Sequence, residues 1–325
     1  MKRLLVHLAV ALGALAATPS HAEWISGSTA AMGTSIRVEL WTEDRVDGQL
    51  LIEAVFAEMR RIDELMSTYK SSSELSRVNA TAYSGAVPVG DELFELIAKA
   101  LTYSPLTDGA FDITYGSVGK LYDFREGVQP DDEARTNALK AVGYRNVLVD
   151  IGSRSVRFDR DGVQINLGGV AKGYAVENGA RILREGGVRH AIVTAGGDSR
   201  IVGDRRGRPW TVGIRNPRDK TGIATRVPLV DEAVSTSGDY ERYFEADGER
   251  IHHILSPKTG RSASQVRSVT VIGPDATQTD ALSTGVFVLG PERGLALVES
   301  LEAVEAIIVD RRGVMHYSSG LAPGG

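Results

Sequence analysis

The chain has 325 residues, 42% of them hydrophobic, a formal net charge of −5 and no cysteine. That length and apolar content suffice for a substantial core. The missing cysteine excludes disulfides, thiolate catalysis and Cys-based zinc sites, and the acidic balance speaks against a nucleic-acid partner.

Lys2 and Arg3, the apolar run Leu4–Ala17 and the small residues Ser20 and Ala22 form the pattern of a secretory signal peptide cleaved before Glu23. The run is shorter than the roughly 20 residues a membrane-spanning helix needs. Arg3 lacks the neighbouring arginine of twin-arginine export, and no cysteine is present to carry a lipid. The expectation is a soluble periplasmic protein that does not span the membrane after cleavage. Residues 1–22 are then the signal peptide. Residues 23–325 are expected to form a single domain, because no linker or low-complexity run divides them.

Met32–Trp41 alternates apolar and polar residues as a half-buried strand does. Asp47–Met66, with Leu51, Val55, Met59 and Ile62, has the spacing of an amphipathic helix, and Asp91–Thr107 repeats it through Leu93, Ile97 and Leu101. Strands are predicted at Asn146–Asp150, Ser155–Phe158, Ala191–Thr194, Trp210–Ile214, Ala233–Ser237 and Ser268–Ile272. Helices are predicted at Lys172–Glu185, Asp280–Leu289 and Pro291–Ser300. Ala303–Asp310 and Val314–Tyr317 close the chain as a hairpin turning at Arg311-Arg312-Gly313. The mixture predicts α+β layers.

Two segments carry chemistry. In TQTDALSTGVFVLG, Asp280 and Thr284 stand four residues apart at the start of an apolar run, so a helix there puts carboxylate and hydroxyl on one face. Such a pair suits a hard cation, Mg²⁺ above all, in phosphate chemistry, although a capped helix with a solvated Asp has the same residues. In INLGGVAKGYA, a strand end and paired glycines lead into a helix start bearing Lys172, which could neutralise a phosphate or be an ordinary surface charge. Neither a P-loop nor a dinucleotide fingerprint is present. Past the signal segment the histidines are His190, His252, His253 and His316. Tyr69 offers an aromatic face and Met32 a soft apolar contact, as either would in a core.

Eight motifs occur in order: Met32-Gly33-Thr34; Ser67-Thr68-Tyr69 with Ser73-Glu74-Leu75-Ser76 and Asn79; Gly109-Ala110-Phe111-Asp112; LGGVAKGYA; Gly196-Gly197-Asp198; Ser235-Thr236-Ser237-Gly238; His253-Ile254-Leu255-Ser256-Pro257-Lys258-Thr259-Gly260; and Asp280-Ala281-Leu282-Ser283-Thr284. In that order they resemble the ApbE family, the FAD:protein FMN transferases. The resemblance implies T-fold-like halves with largely antiparallel sheets backed by helices. It also implies a reaction in which FMN passes from FAD to a Ser or Thr of a partner flavoprotein subunit, with release of AMP. FAD hydrolysis and non-catalytic FAD binding are the competing readings.

By resemblance, the Gly169 carbonyl joins Asp280 and Thr284 as ligands of Mg²⁺, Lys172 binds the pyrophosphate, and Ser283 donates a hydrogen bond nearby. His253 takes the place of the family's catalytic histidine, beside Ile254, and an imidazole can accept the proton of an incoming hydroxyl. Gly109, Ala110, Phe111 and Asp112 match a segment lining the flavin nucleotide, with Met32 and Tyr69 as further FAD contacts. The chain departs from the pattern at Ser256, where many relatives carry Asp, and at Asn166, a frequently acidic position kept here as an FAD contact. Asp198 is expected to support its glycine turn.

Overall fold

A computed structural model describes residues 22–219 and 222–321, and nearly all of the proposed signal peptide lies outside them. Strands β1 (Glu23–Ala31) and β2 (Thr34–Thr42) form a hairpin. Its two-residue turn, Met32-Gly33, has φ of 54° and 68°, the left-handed geometry that matches the twist of paired strands. Met32 therefore stands in the turn rather than in the strand. Helix α1 (Arg45–Met66) starts at Asp44, whose side chain accepts from the Val46 and Asp47 amides, and buries Ile52, Val55, Phe56, Met59 and Ile62. It lies close on β1, because a Cβ at Gly27 would come within 2.8 Å of Ile52.

An excursion follows. It comprises α2 (Glu74–Thr81), β3 (Val87–Pro88), α3 (Asp91–Leu106), the one-turn α4 (Gly116–Gly119), α5 (Asp132–Leu139), β4 (Val147–Asp150) and β5 (Ser155–Phe158). Its strands make a small antiparallel sheet ordered β3-β5-β4. The chain returns through α6 (Ala171–Glu185) to β6 (Ala191–Ala195) and β7 (Asp198–Val202), and then the hairpin β8 (Trp210–Arg215) and β9 (Ile223–Leu229). The second part runs β10 (Ala233–Gly238), hairpin β11 (Tyr243–Ala246) and β12 (Glu249–His252), β13 (Val266–Gly273), α7 (Ala276–Leu289), α8 (Pro291–Glu299), β14 (Glu305–Asp310) and β15 (Met315–Tyr317).

Eight strands form one antiparallel sheet, β1-β2-β6-β7-β10-β13-β14-β15. Its halves share a plan: two strands, two principal helices, two strands, laid side by side in chain order. This is the α+β architecture of antiparallel sheets backed by helices. Along β13 and β14, Val269, Val271, Ala306 and Ile308 face the core under α7 and α8. Ile272 and Ile307 face the other way, against Trp210, Ile214, Val227 and Leu229 of the β8–β9 hairpin, as period-two alternation requires.

The halves join where β7 pairs with β10 and where α6 meets α7. Gly173 makes that approach possible, since a Cβ there would sit 2.1 Å from the Ala276 carbonyl oxygen and 2.7 Å from Asp280 Cβ. Neither contact is the end of a flexible side chain. Gly173→Ala should therefore cost about 3 kcal/mol, read as a lowered denaturant midpoint with unchanged m-value; an unchanged midpoint would show that the helices part freely.

Candidate active site

The α6–α7 junction gathers the polar residues. Asn79 straps the extended chain before α6, donating to the Ile165 carbonyl (2.9 Å) and accepting from the Ile165 amide (2.8 Å). This segment is not a strand, in contrast to the sequence expectation, because its backbone bonds go to side chains and to the 113 carbonyl rather than to a sheet. The Asn166 side chain accepts from the Gly168 amide (2.8 Å), folding the glycine turn. Gly169 then lies against α7, where a Cβ would be 3.4 Å from Thr284 Oγ1 and 3.0 Å from the Phe111 ring.

Helix α7 begins at Ala276, capped by Asp275, so Asp280 stands in its second turn instead of opening it. Asp280 is buried, not solvated, and accepts from the Gly173 amide (2.9 Å). Lys172 pairs with Asp198, and its Nζ lies 3.7 Å from Asp280 Oδ1. Two buried carboxylates thus share one lysine. Burial and the Asp198 charge push Asp280 up from the usual carboxylate range, against the opposing pull of Lys172. Burial alone would lower Lys172, but Asp198 and Asp280 outweigh it and hold the ammonium above its ordinary value.

This excess of negative charge, beside the Thr284 hydroxyl and the Gly169 backbone, fits a hard cation. Among the described residues no three His, Cys, Asp or Glu side chains converge on a common point. A cation here would therefore take neutral oxygens besides Asp280. Ser283 turns its hydroxyl to the Asp280 carbonyl (2.9 Å) and to Ser237 (2.8 Å), and Ser237 also reaches Thr284 Oγ1 (3.3 Å).

His253 follows β12, its amide bonded to the Arg242 carbonyl (3.1 Å). Its Nδ1 is enclosed and has no hydrogen-bond partner. Among the described residues no carboxylate is bonded to the ring; the edge of Phe124 packs on it, with centroids 6.5 Å apart. Burial, then the charges of Arg242, His252 and Lys172, lower its pKa to about 3. His252 points the other way into the core, bonded to the Ala263 carbonyl (2.9 Å) and edge-on to Phe287.

Several expected FAD contacts are buried or held by local hydrogen bonds. Gly109, at φ 73°, ends α3 by donating to the Ser104 carbonyl (2.7 Å). Ala110 and Phe111 are buried, Phe111 edge-on to Tyr103. The Asp112 carboxylate is spent on the Thr114 amide and hydroxyl and the Tyr144 amide, and burial raises its pKa. Ile254 is packed in the core under α7. Tyr69, by contrast, is 89% exposed, free to meet a flat ring.

Four residues were missed as members of the site. Asp198 is the partner of Lys172, not merely a turn residue. Ser237 links β10 to α7. Tyr115 has its hydroxyl 3.5 Å from a Cβ at Gly168; burial pushes it up to about 12, reinforced by Tyr69 and opposed by Arg242 and Lys172. Arg242 places a guanidinium nitrogen 3.6 Å from a Cβ at Gly33, its charge is felt by His253, Lys172 and Tyr115, and it has no carboxylate partner among the described residues. No local pattern in the sequence marks it.

Known proteins share this fold and the family of the sequence motifs. The ApbE family model matches residues 32–308. An FAD:protein FMN transferase of Vibrio cholerae is 33% identical over 329 residues, covering 98% of this chain and 97% of the relative. One from Escherichia coli is 32% identical, covering 87% and 83%. Among solved structures, an ApbE protein of Thermotoga maritima superposes with a TM-score of 0.86 at 37% identity, covering 92% of this chain and 98% of that one. The flavinyl transferase ApbE of Pseudomonas stutzeri does so at 0.80 and 31% identity, covering 92% and 95%. A family match across most of the chain, relatives of nearly equal length and the shared fold together establish that this chain belongs to the ApbE family.

Proposed function

We propose that the protein is an exported, Mg²⁺-dependent FAD:protein FMN transferase, a single catalytic unit beginning at Glu23. It would act on a Ser or Thr of a periplasmic or membrane-bound redox protein. The observation that carries this reading is the buried Lys172–Asp198–Asp280 cluster with Thr284 and Gly169 at its edge, within the electrostatic reach of His253. Such a cluster is costly in a protein that only binds a flavin, because buried charges forfeit hydration.

In this reading the acceptor hydroxyl oxygen bonds to the FMN phosphorus of FAD while His253 receives its proton. The bond from that phosphorus to the bridging oxygen breaks, and the electron pair departs on AMP. Asp280, Thr284 and the Gly169 carbonyl would hold Mg²⁺, which when bound supplies neutralisation of the diphosphate charge. Arg242 and Lys172 offer cationic partners for the phosphate oxygens. A diphosphate between them would offset the charges that depress His253 and make the imidazole more basic when substrate is present. Exposed Tyr69 and the Met32 turn suit the flavin or adenine faces.

Metal removal tests the core of this. Dialysis against EDTA should stop FAD cleavage, and added Mg²⁺ should restore it. Full activity in EDTA would overturn the assignment of Asp280 and Thr284 as ligands.

A further inference from the structure

A cleft of about 530 Å³ is lined in part by the β12 residues Glu249, Arg250, Ile251 and His252, the last of them next to His253 in the chain. In a chain of net charge −5 it collects Arg135, Arg218, Arg250, Arg261, Arg267 and Arg311 from separate segments, against the carboxylates of Asp239 and Glu249. Arg218 and Arg250 are met by Asp239, and Arg135 and Arg261 by Asp132. Arg267 and Arg311 have no carboxylate partner among the described residues.

A backbone irregularity places these two. The β13–β14 register shifts between Val266 and Ser268, so Arg267 is the extra residue of a bulge. Bulges re-aim a side chain and recur beside functional sites. The bulge is pinned from both sides: the Arg267 carbonyl accepts from the Asp239 amide (3.0 Å), and the Arg311 amide donates to the Gln265 carbonyl (2.9 Å). Gly313, at φ 91°, leaves room for the Arg267 guanidinium, 3.3 Å from where its Cβ would be.

We infer that this cleft docks an acidic segment of the protein that receives the flavin. The inference rests on the transferase reading for the identity of that partner. Charge complementarity selects it: in a chain of net negative charge this cleft concentrates arginines, and an acidic segment is attracted there. The arginines come from widely separated segments and spread along a cleft, which suits several carboxylates in a row better than one phosphate. The cleft also sits one residue away from the proposed base, His253.

The probe is a fluorescein-labelled ten-residue glutamate peptide, titrated by anisotropy into the full chain at low salt. Binding should weaken about tenfold in Arg267→Gln/Arg311→Gln, the worth of two partly exposed ion contacts, and fall as salt rises. Arg60→Gln/Arg226→Gln, which removes two exposed arginines elsewhere, should bind as the native chain does. In transfer to a flavin-accepting protein the peptide should raise the KM for that acceptor and leave the KM for FAD unchanged. Equal binding by both double variants, displacement by inorganic phosphate at equal concentration, or binding without competition against the acceptor would each overturn the inference. FMN transfer to the acceptor without the peptide tests the other site: its absence would sink the transferase reading, while the peptide titration would still judge the cleft.

Discussion

Asp280→Asn is expected to lose FAD cleavage by a factor of about 10³, the loss that follows when a preorganised charge is removed from a transferring phosphate, and yet to fold at least as stably as the native chain. Both halves come from one cluster. The amide keeps the shape of the side chain but cannot supply an anionic ligand. Without metal, Asp280 is a buried carboxylate whose pKa is raised by burial and by Asp198. An acid raised on folding binds more protons folded than unfolded, so its charge costs stability as pH climbs above the unfolded value. Removing that charge should raise the metal-free melting temperature at neutral pH. A variant that is inactive because it unfolds would contradict this, as would one that keeps its rate.

His253→Ala should slow transfer by about 10²–10⁴, the usual worth of a positioned base, while FAD still binds. The free enzyme gives an independent reading. Burial together with Arg242, His252 and Lys172 holds His253 at about 3, so its ring should show no titration between pH 5 and 8 by NMR. The sign for stability follows: a histidine depressed on folding contributes stability above about pH 6.5, lost as pH falls toward 3. His253→Gln should remove that part of the acid sensitivity. A His253 resonance titrating near 6.5 would mean that the ring is solvated and free of the neighbouring cations.

The helices α1, α3, α6, α7 and α8 were legible because their apolar residues recur at helical spacing, while α2, α4 and α5 were not read. Val55, Met59 and Ile62 fill the core beneath α1 as that spacing requires, whereas Leu51 is only partly buried and its neighbour Ile52 takes the core position. Strand β1 was not, since Gly27, Ser28 and Thr29 break any alternation and the strand is specified by pairing with β2 and packing under α1. The short α2 and α5 did carry local signals, the caps Ser73 and Asp131. In the site, Asp280, Thr284 and Lys172 could be nominated from spacing and motif. The role of Asp198 could not, because a carboxylate near a phosphate reads as repulsive until its lysine is seen beside it. Arg242 reaches the Met32-Gly33 turn only through the β11–β12 excursion, a long-range placement no window of sequence contains.

The most direct test is a mass measurement on both products. The purified chain is incubated with FAD, Mg²⁺ and candidate redox subunits from the same cell envelope, and protein and nucleotide are weighed together. The transferase reading predicts one subunit heavier by a single FMN, held through a phosphoester on a Ser or Thr, with AMP released in equal amount and no labelling when that residue is replaced by Ala. Free FMN and AMP with every subunit unmodified would make the protein a hydrolase, and FAD recovered intact would make it a binding protein; either result contradicts the account.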